Sequence, residues 1–231
     1  MALLIPQVRI FKILEYLLGY VKTDLETKII AKLESEAWLY RCFYDIEDFG
    51  SFNWYNQIKD LILADDEDAR KLELRLGFDR DRATLPTIHI HTPSEAKGRI
   101  NGLGVGFDEV DYYTNYNDAG EGDPPSITYS FSRSFLATYE LITSAGNREE
   151  TTAIYELLKA IMIAGNNLFL GDFPSFEWSG RDIMLKPELI PTGIFVKSLM
   201  IQLDYLVSVP EFLPNTTIDE LNFEGKPITG D

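Results

Sequence analysis

The sequence predicts an α+β fold: a mostly antiparallel sheet, with a long N-terminal helix and a central helix packed on one face. Three observations predict it. Apolar residues recur every three or four positions over residues 8–33, which is typical of an amphipathic helix. Apolar and polar residues alternate over 126–143 and again over 193–210, which indicates half-buried strands. One further helical pattern, over 147–166, lies between these two strands.

The N-terminal part of the chain is predicted to be helical. Pro6 stands just ahead of the long helix, where a proline is tolerated because the first helical N–H groups have no partner. Two shorter helices are expected over 34–44 and 55–64. The sequence ADDEDARK, which follows them, predicts a solvated acidic turn.

Beyond this turn the apolar spacing changes from helical to alternating. LELRLGF (72–78) and LPTIHIH (85–91) predict two strands, and FEWSGRDIML (176–185) predicts another. The last long strand places six apolar residues on one face: Phe195, Leu199, Ile201, Leu203, Tyr205 and Val207. Residues 98–125 are rich in Gly, Asp, Asn and Tyr and predict a projecting loop or hairpin. We therefore expect a single domain over 1–209 and an extended C-terminal arm over 210–231.

The start of the central helix has a local signal of its own. Asn147 precedes Glu150 by three residues, which is the spacing of a helix-capping pair. We expect the Asn147 side chain to accept a hydrogen bond from the first turn, and the helix to stop near Gly165.

The charge balance argues against nucleic-acid and membrane partners. Acidic residues number 37 against 21 basic ones, a formal net charge of −16. Such a surface repels phosphate groups, whereas nucleic-acid binding needs clustered Lys and Arg. Two interpretations stay open: the acidity keeps the protein soluble, or an acidic face meets a basic partner.

Neither the single cysteine nor the apolar N-terminus indicates a further role. Cys42 lies in an aromatic stretch, cannot form an internal disulfide and is expected to be a buried structural thiol. The N-terminus lacks a basic start, and Arg9, Lys12 and Glu15 interrupt its apolar run. It is expected to be neither a signal peptide nor an anchor, so synthesis in the cytoplasm is expected.

His89 and His91 are the only histidines and the main candidates for a metal site. Residues two apart in a strand share a face, so both rings could meet one ion, but no Cys or further His supplies a third ligand. We expect instead two polar groups on an exposed strand face. No metal or cofactor is predicted.

Other patterns that resemble catalytic motifs lack the required context. The glycines at 98, 102, 104 and 106 lead into an acidic, aromatic stretch and fit no nucleotide-binding loop. Ser94 and Ser179 lie in no nucleophile-elbow pattern. The acid pairs Asp65–Asp66 and Asp108–Glu109 could serve as glycosidase carboxylates, but such pairs are common in so acidic a chain and do not indicate that activity. No catalytic residue is therefore predicted, and the protein is not expected to be an enzyme.

One stretch of the chain resembles a known group of proteins. The strand ending TYELITSAGN, the helix NREETTAIYELLKAIMIAG, the link FEWSGRDIML and the strand IFVKSLMIQLDYLVSVP resemble the neck, tail-completion and tail-terminator proteins of tailed bacteriophages. The resemblance covers about residues 129–209 and is one of layout rather than of motif. It therefore transfers no functional residue.

The resemblance implies a structural virion protein. Copies would form a ring, a hexamer by analogy with that group, around the DNA channel where head and tail meet. Its partners would be itself and neighbouring neck or tail proteins, contacted by the loop at 98–125 and the C-terminal arm. An acidic inner wall would keep passing DNA from sticking, a hypothesis that requires acidic residues to concentrate there.

Two other functions remain open from the sequence alone. One is a small metal-dependent hydrolase that uses His89 and His91. The other is a cytoplasmic adaptor that binds peptides on an exposed sheet edge.

Overall fold

The computed structural model describes residues 5–44, 46, 53–64, 70–77, 85–97, 109–115, 126–181 and 193–210. The predicted α+β class is confirmed: helices pack on one face of a six-stranded, mostly antiparallel sheet. The helices in chain order are α1 (Pro6–Ile30), a 3-10 turn (Glu34–Glu36), α2 (Trp38–Phe43), α3 (Trp54–Leu63), α4 (Arg148–Ala164) and α5 (Asn166–Asp172). The strands are β1 (Glu73–Leu76), β2 (Thr87–Lys97), β3 (Glu109–Asn115), β4 (Ser126–Ala145), β5 (Ser175–Arg181) and β6 (Phe195–Pro210).

The sheet has the strand order β1-β2-β4-β6-β5, and β3 pairs with β4 beyond the end of β2. All pairs are antiparallel except β1–β2, which is parallel. The prediction of a mostly antiparallel sheet is therefore confirmed, and β1–β2 is the one parallel pair among the described strands. Local alternation is the same in both orientations, so it does not determine which one a strand adopts.

The core lies between the helices and one face of the sheet. On β6 the predicted inward face is confirmed for Leu199, Ile201, Leu203 and Tyr205, which are buried, whereas Val207 is only partly buried and Phe195 is exposed. The core-facing residues of α4 are Ala153, Ile154, Leu157, Leu158, Ile161 and Met162. The apolar face of α4, which follows helical spacing, thus packs with the apolar face of β6, which follows strand alternation, in one layer.

The predicted cap of α4 is confirmed. The Asn147 side chain accepts a 2.7 Å hydrogen bond from the Glu150 N–H, and the helix ends at Ala164 with Gly165 as its C-cap, close to the predicted end. A further helix that the sequence analysis missed, α5, begins immediately afterwards and buries Phe169.

Three predicted N-terminal boundaries differ from the structure. The long helix includes Pro6 in its first turn and ends at Ile30, three residues before the predicted end. The single helix expected over 34–44 is a 3-10 turn followed by α2.

Most of the acidic turn after α3 and most of the projecting segment at 98–125 lie outside the described residues, but 109–115 form β3. The C-terminal arm also lies outside them, apart from Pro210 at the end of β6.

No single helix in the described ranges is long and apolar enough to cross a membrane. The pair α4–α5, bent by 61°, passes the same test by length and composition only. Eight residues of α4 are buried inside the fold, so packing against the sheet accounts for its apolar character.

Candidate functional site

The two histidines of the candidate metal site differ in their surroundings. His89 is buried and His91 is exposed, so the expectation of two exposed polar groups is wrong for His89. The Nδ1 of His89 donates to the Gly77 carbonyl at 3.0 Å, and its Nε2 lies 2.9 Å from the Thr87 hydroxyl. The Thr87 hydroxyl in turn lies 2.6 Å from that of Ser144.

This chain of hydrogen bonds determines what His89 can do. A carbonyl oxygen only accepts, so Nδ1 carries a proton and Nε2 is directed at a hydroxyl group rather than at open space. Among the described residues, no group of three or more His, Cys, Asp or Glu side chains is arranged to hold a metal ion. The arrangement positions His89 as part of the sheet structure.

The structure describes only some of the other candidate catalytic residues. Ser94 and Ser179 are both exposed, on β2 and β5 respectively. Asp65, Asp66, Asp108 and the four glycines at 98–106 lie outside the described residues, and only the backbone of Glu109 is described.

Cys42 is exposed, so the expectation of a buried thiol is wrong. Helix α2 turns Leu39 and Phe43, four residues apart, into the core, and this leaves Cys42 on the outer side. Partial desolvation still raises the pKa of the thiol above its ordinary value, which lowers its reactivity.

An aromatic cluster surrounds this part of α2. Tyr40 stacks on Tyr44 with ring centroids 4.9 Å apart and meets Tyr55 edge-on at 5.0 Å. The Tyr55 hydroxyl donates to Glu34 at 2.5 Å, and Lys59 donates to the same carboxylate at 2.8 Å. Burial, with the Glu34 hydrogen bond, raises the pKa of Tyr55, so the ring stays neutral in the cluster.

The Glu34 carboxylate gives this cluster a pH dependence. Hydrogen bonds from Lys59 and then Tyr55 lower the pKa of Glu34 below its ordinary value of 4.5. A lowered pKa contributes stability that is fully present above pH 4.5 and is lost as the pH falls through the lowered value. Because Glu34 is more than a third exposed, we expect only a few tenths of a kcal/mol.

Urea unfolding of wild type and Glu34→Gln at pH 7 and pH 3 checks this expectation. The stability difference between the two proteins should shrink at pH 3. Glu15→Gln, at an exposed position on α1, should track the wild type at both pH values. A Glu34→Gln difference that stays constant with pH would contradict the assignment.

An exposed apolar patch lies where α1 meets the α4–α5 junction. The Leu17 side chain packs against Gly165, so closely that a β-carbon there would lie 2.4 Å from Leu17 Cδ1. Close in sequence to these two residues are Tyr16 and Tyr20 on α1, and Ile163 and Leu168 on either side of the α4–α5 junction. All four are exposed, Tyr20 by 61% and Ile163 by 66%. Exposed aromatic and aliphatic side chains are typical of surfaces that bind other proteins.

The sheet face opposite the helices forms a second, polar surface. Residues that are cross-strand partners on β2, β4, β6 and β5 lie side by side in rows on this face. One such row is Ser94, Thr138, Gln202 and Glu177. Gln202 and Glu177 are exposed, so the described helices do not cover this part of the face. We refer to it as the open face.

The longest strand is also much longer than the helices that pack on the sheet. β4 has 20 residues, or about 65 Å of strand, whereas α4 has 17 residues and spans about 25 Å. Residues 126–132 of β4 pair with β3, and 130–132 also pair with the end of β6. We refer to β3, 126–133 and 207–210 as the ribbon.

Comparison with protein-family models and with curated proteins finds no match for this chain. The open face, the ribbon and the apolar patch are the surfaces of interest. The sequence predicted the polar alternation of the strands, but it did not predict the patch, because the patch residues come from α1, from α4 and from the unpredicted α5.

Proposed function

We propose that this protein is a structural component of the head–tail junction of a tailed bacteriophage, where copies form a ring that joins tail to head and surrounds the DNA channel. The observation that carries the proposal is a sheet whose described helices lie on one face and whose longest strand, about 65 Å, far exceeds the longest described helix, about 38 Å. A monomer gains little from such a strand, whereas a ring subunit can use it to reach its neighbours.

The two faces of the domain suit side-by-side assembly. Head-to-tail contacts join two unlike surfaces of successive copies. They form a closed ring when the rotations that relate these copies add up to one full turn. The helix layer with its apolar patch and the open polar face are unlike surfaces on opposite sides of one domain. Their difference supports cyclic assembly, with the ribbon available for contacts above or below the ring.

Sedimentation and electron microscopy of the purified protein test the proposal. We expect a concentration-dependent oligomer of defined size, ring-shaped particles in micrographs, and the protein itself in purified virions. A chain that stays monomeric at all concentrations and is missing from virions would refute the proposal.

The apolar patch offers a sharper prediction. Tyr20→Lys places an ammonium group where assembly would remove water, so we expect the oligomer to dissociate at concentrations where the wild type is assembled. Because Tyr20 is exposed in the single chain, the free energy of unfolding of the monomer should change by no more than about 0.5 kcal/mol.

Thr27→Lys is the matched control, because it adds the same charge at an exposed position two turns along the same helix. It should assemble like the wild type. Light scattering of the two variants and the wild type at equal concentration makes the comparison. If Tyr20→Lys assembles as well as the wild type, the patch is not part of the interface between copies.

A further inference from the structure

The helix layer contains a small cavity apart from the surfaces described above. It has a volume of about 170 Å³ and lies between α1, the C-terminal end of α3 and the segment that leads into β1. Its apolar lining consists of Leu18, Leu61, Ile62, Ala64 and Leu72, and Gly19, Lys22 and Lys71 also line it. An apolar cavity of about 150 Å³ can hold a molecule the size of benzene, so this cavity has room for a ligand of about six carbons.

The charge of the cavity is opposite to that of the chain. The protein has a net charge of −16, yet the charged residues described in the cavity lining are two half-buried lysines, Lys22 and Lys71. The Nζ of Lys22 donates to the Ala64 carbonyl at 3.4 Å, and this bond holds the ammonium at the cavity. An ammonium has three N–H donors, and the bond to Ala64 uses only one of them. The lining therefore suits a ligand that combines a negative charge with an apolar part.

Gly19 keeps the mouth of the cavity clear. It lies in the interior of α1 and is exposed, and glycine is less favourable than alanine in a helix interior. Its backbone is not in the left-handed conformation, and a β-carbon at this position would meet nothing within 4 Å. Neither backbone conformation nor close packing therefore requires glycine here. What the glycine does provide is access, because a larger side chain at position 19 would narrow the mouth.

The backbone beside the cavity favours a small free ligand over a peptide. The Ala64 N–H donates to the Asp60 carbonyl at 3.1 Å, and the Leu72 N–H donates to the Leu61 carbonyl at 3.4 Å. These N–H groups are therefore not available to the main chain of a peptide. A small molecule needs only the ammonium and the apolar surface.

We propose that this cavity binds a small aliphatic carboxylate, with its carbon chain against Leu18, Leu61 and Leu72 and its carboxylate on the Lys22 ammonium. Lys71 adds positive charge from the segment before β1. The site is independent of the proposed ring, because it shares no residue with the apolar patch, the open face or the ribbon.

Saturation-transfer difference NMR with hexanoate tests the proposal on the full chain, whether single or assembled. We expect saturable binding, with the terminal methyl group of hexanoate in closest contact with the protein. Hexanol keeps the carbon chain and lacks the charge, so it should bind at least about tenfold more weakly. Hexylammonium, which carries the opposite charge, should show no saturable binding.

Two variants and a control locate the site. Lys22→Met keeps an apolar stem and removes the ammonium, so it should weaken hexanoate binding about tenfold. Lys12→Met removes the same charge from an exposed position on α1 and should bind like the wild type. Gly19→Leu should abolish binding because the leucine fills the mouth. Its melting temperature should be unchanged or higher, since leucine favours a helix more than glycine does, and this excludes unfolding as the cause.

Several results would overturn the proposal. One is the absence of saturable hexanoate binding to the wild type, and another is equal binding of hexanol. Unchanged hexanoate binding by Lys22→Met would mean that Lys22 serves only the carbonyl end of α3, and unchanged binding by Gly19→Leu would place the ligand elsewhere. Tighter binding of the tripeptide Gly-Gly-Leu than of hexanoate would assign the cavity to the C-terminal end of a polypeptide.

Discussion

Phe169→Ala should lower the free energy of unfolding by about 3–5 kcal/mol, the range for removing a fully buried aromatic ring. Phe169 is completely buried on α5, and its ring stacks on Phe176 of β5 with centroids 4.5 Å apart and planes 7° apart. The substitution removes this stack and leaves a cavity between the short helix and an edge strand. Urea denaturation followed by circular dichroism measures the loss.

Leu170→Ala is the matched control for this prediction. Leu170 is the next residue on α5 and is exposed, so its truncation should cost less than about 1 kcal/mol. Phe169→Leu should fall between the two, because it keeps part of the buried volume. Equal losses for Phe169→Ala and Leu170→Ala would mean that α5 does not pack as described.

Elements with strong periodicity were predictable from the sequence. α4 and β6 each bury one face against the other, and helical spacing or alternation records such one-sided burial directly. α5 was missed because it has seven residues and only Phe169 is buried along it. So short a helix shows no repeat, and contacts with the rest of the fold stabilise it instead.

The end of α1 shows how a helix can stop without a visible signal. The Lys32 N–H bonds to the Ile29 carbonyl and the Leu33 N–H bonds to the Lys28 carbonyl, which together form a Schellman motif. Lys32 takes the left-handed conformation, with φ of 59°, at the position where glycine is usual. The apolar spacing continued to Leu33, so the sequence predicted a longer helix.

The candidate surfaces were only partly predictable. Strand alternation indicates that each long strand has a polar side, but it does not reveal whether another element covers that side. The cavity beside Lys22 depends on how α1, α3 and the start of β1 pack, because its lining residues lie as far apart in the chain as Leu18 and Leu72. Contacts over such distances leave no local pattern in a single sequence.

Arg70→Ala should destabilise the fold more than removal of the acid with which Arg70 pairs. Arg70 donates to Glu150 at 2.7 Å, and the two side chains differ sharply in exposure, 65% for Arg70 and 2% for Glu150. Loss of Arg70 leaves a buried carboxylate with a weaker 3.3 Å bond from Asn147, whereas loss of Glu150 leaves an arginine that water can solvate. We expect about 1–3 kcal/mol for Arg70→Ala and about 1 kcal/mol or less for Glu150→Gln.

A double-mutant cycle tests this asymmetry. When residue 150 is a neutral glutamine, removal of Arg70 no longer leaves a buried charge without its partner. The double variant Arg70→Ala, Glu150→Gln should therefore be about as stable as Glu150→Gln alone. Arg148→Ala, which removes an exposed arginine from the same helix end, should change the stability by less than about 0.5 kcal/mol. Additive losses in the cycle would show that Arg70 stabilises the protein through contacts other than Glu150, and the buried carboxylate would then depend mainly on Asn147 and the first turn of α4.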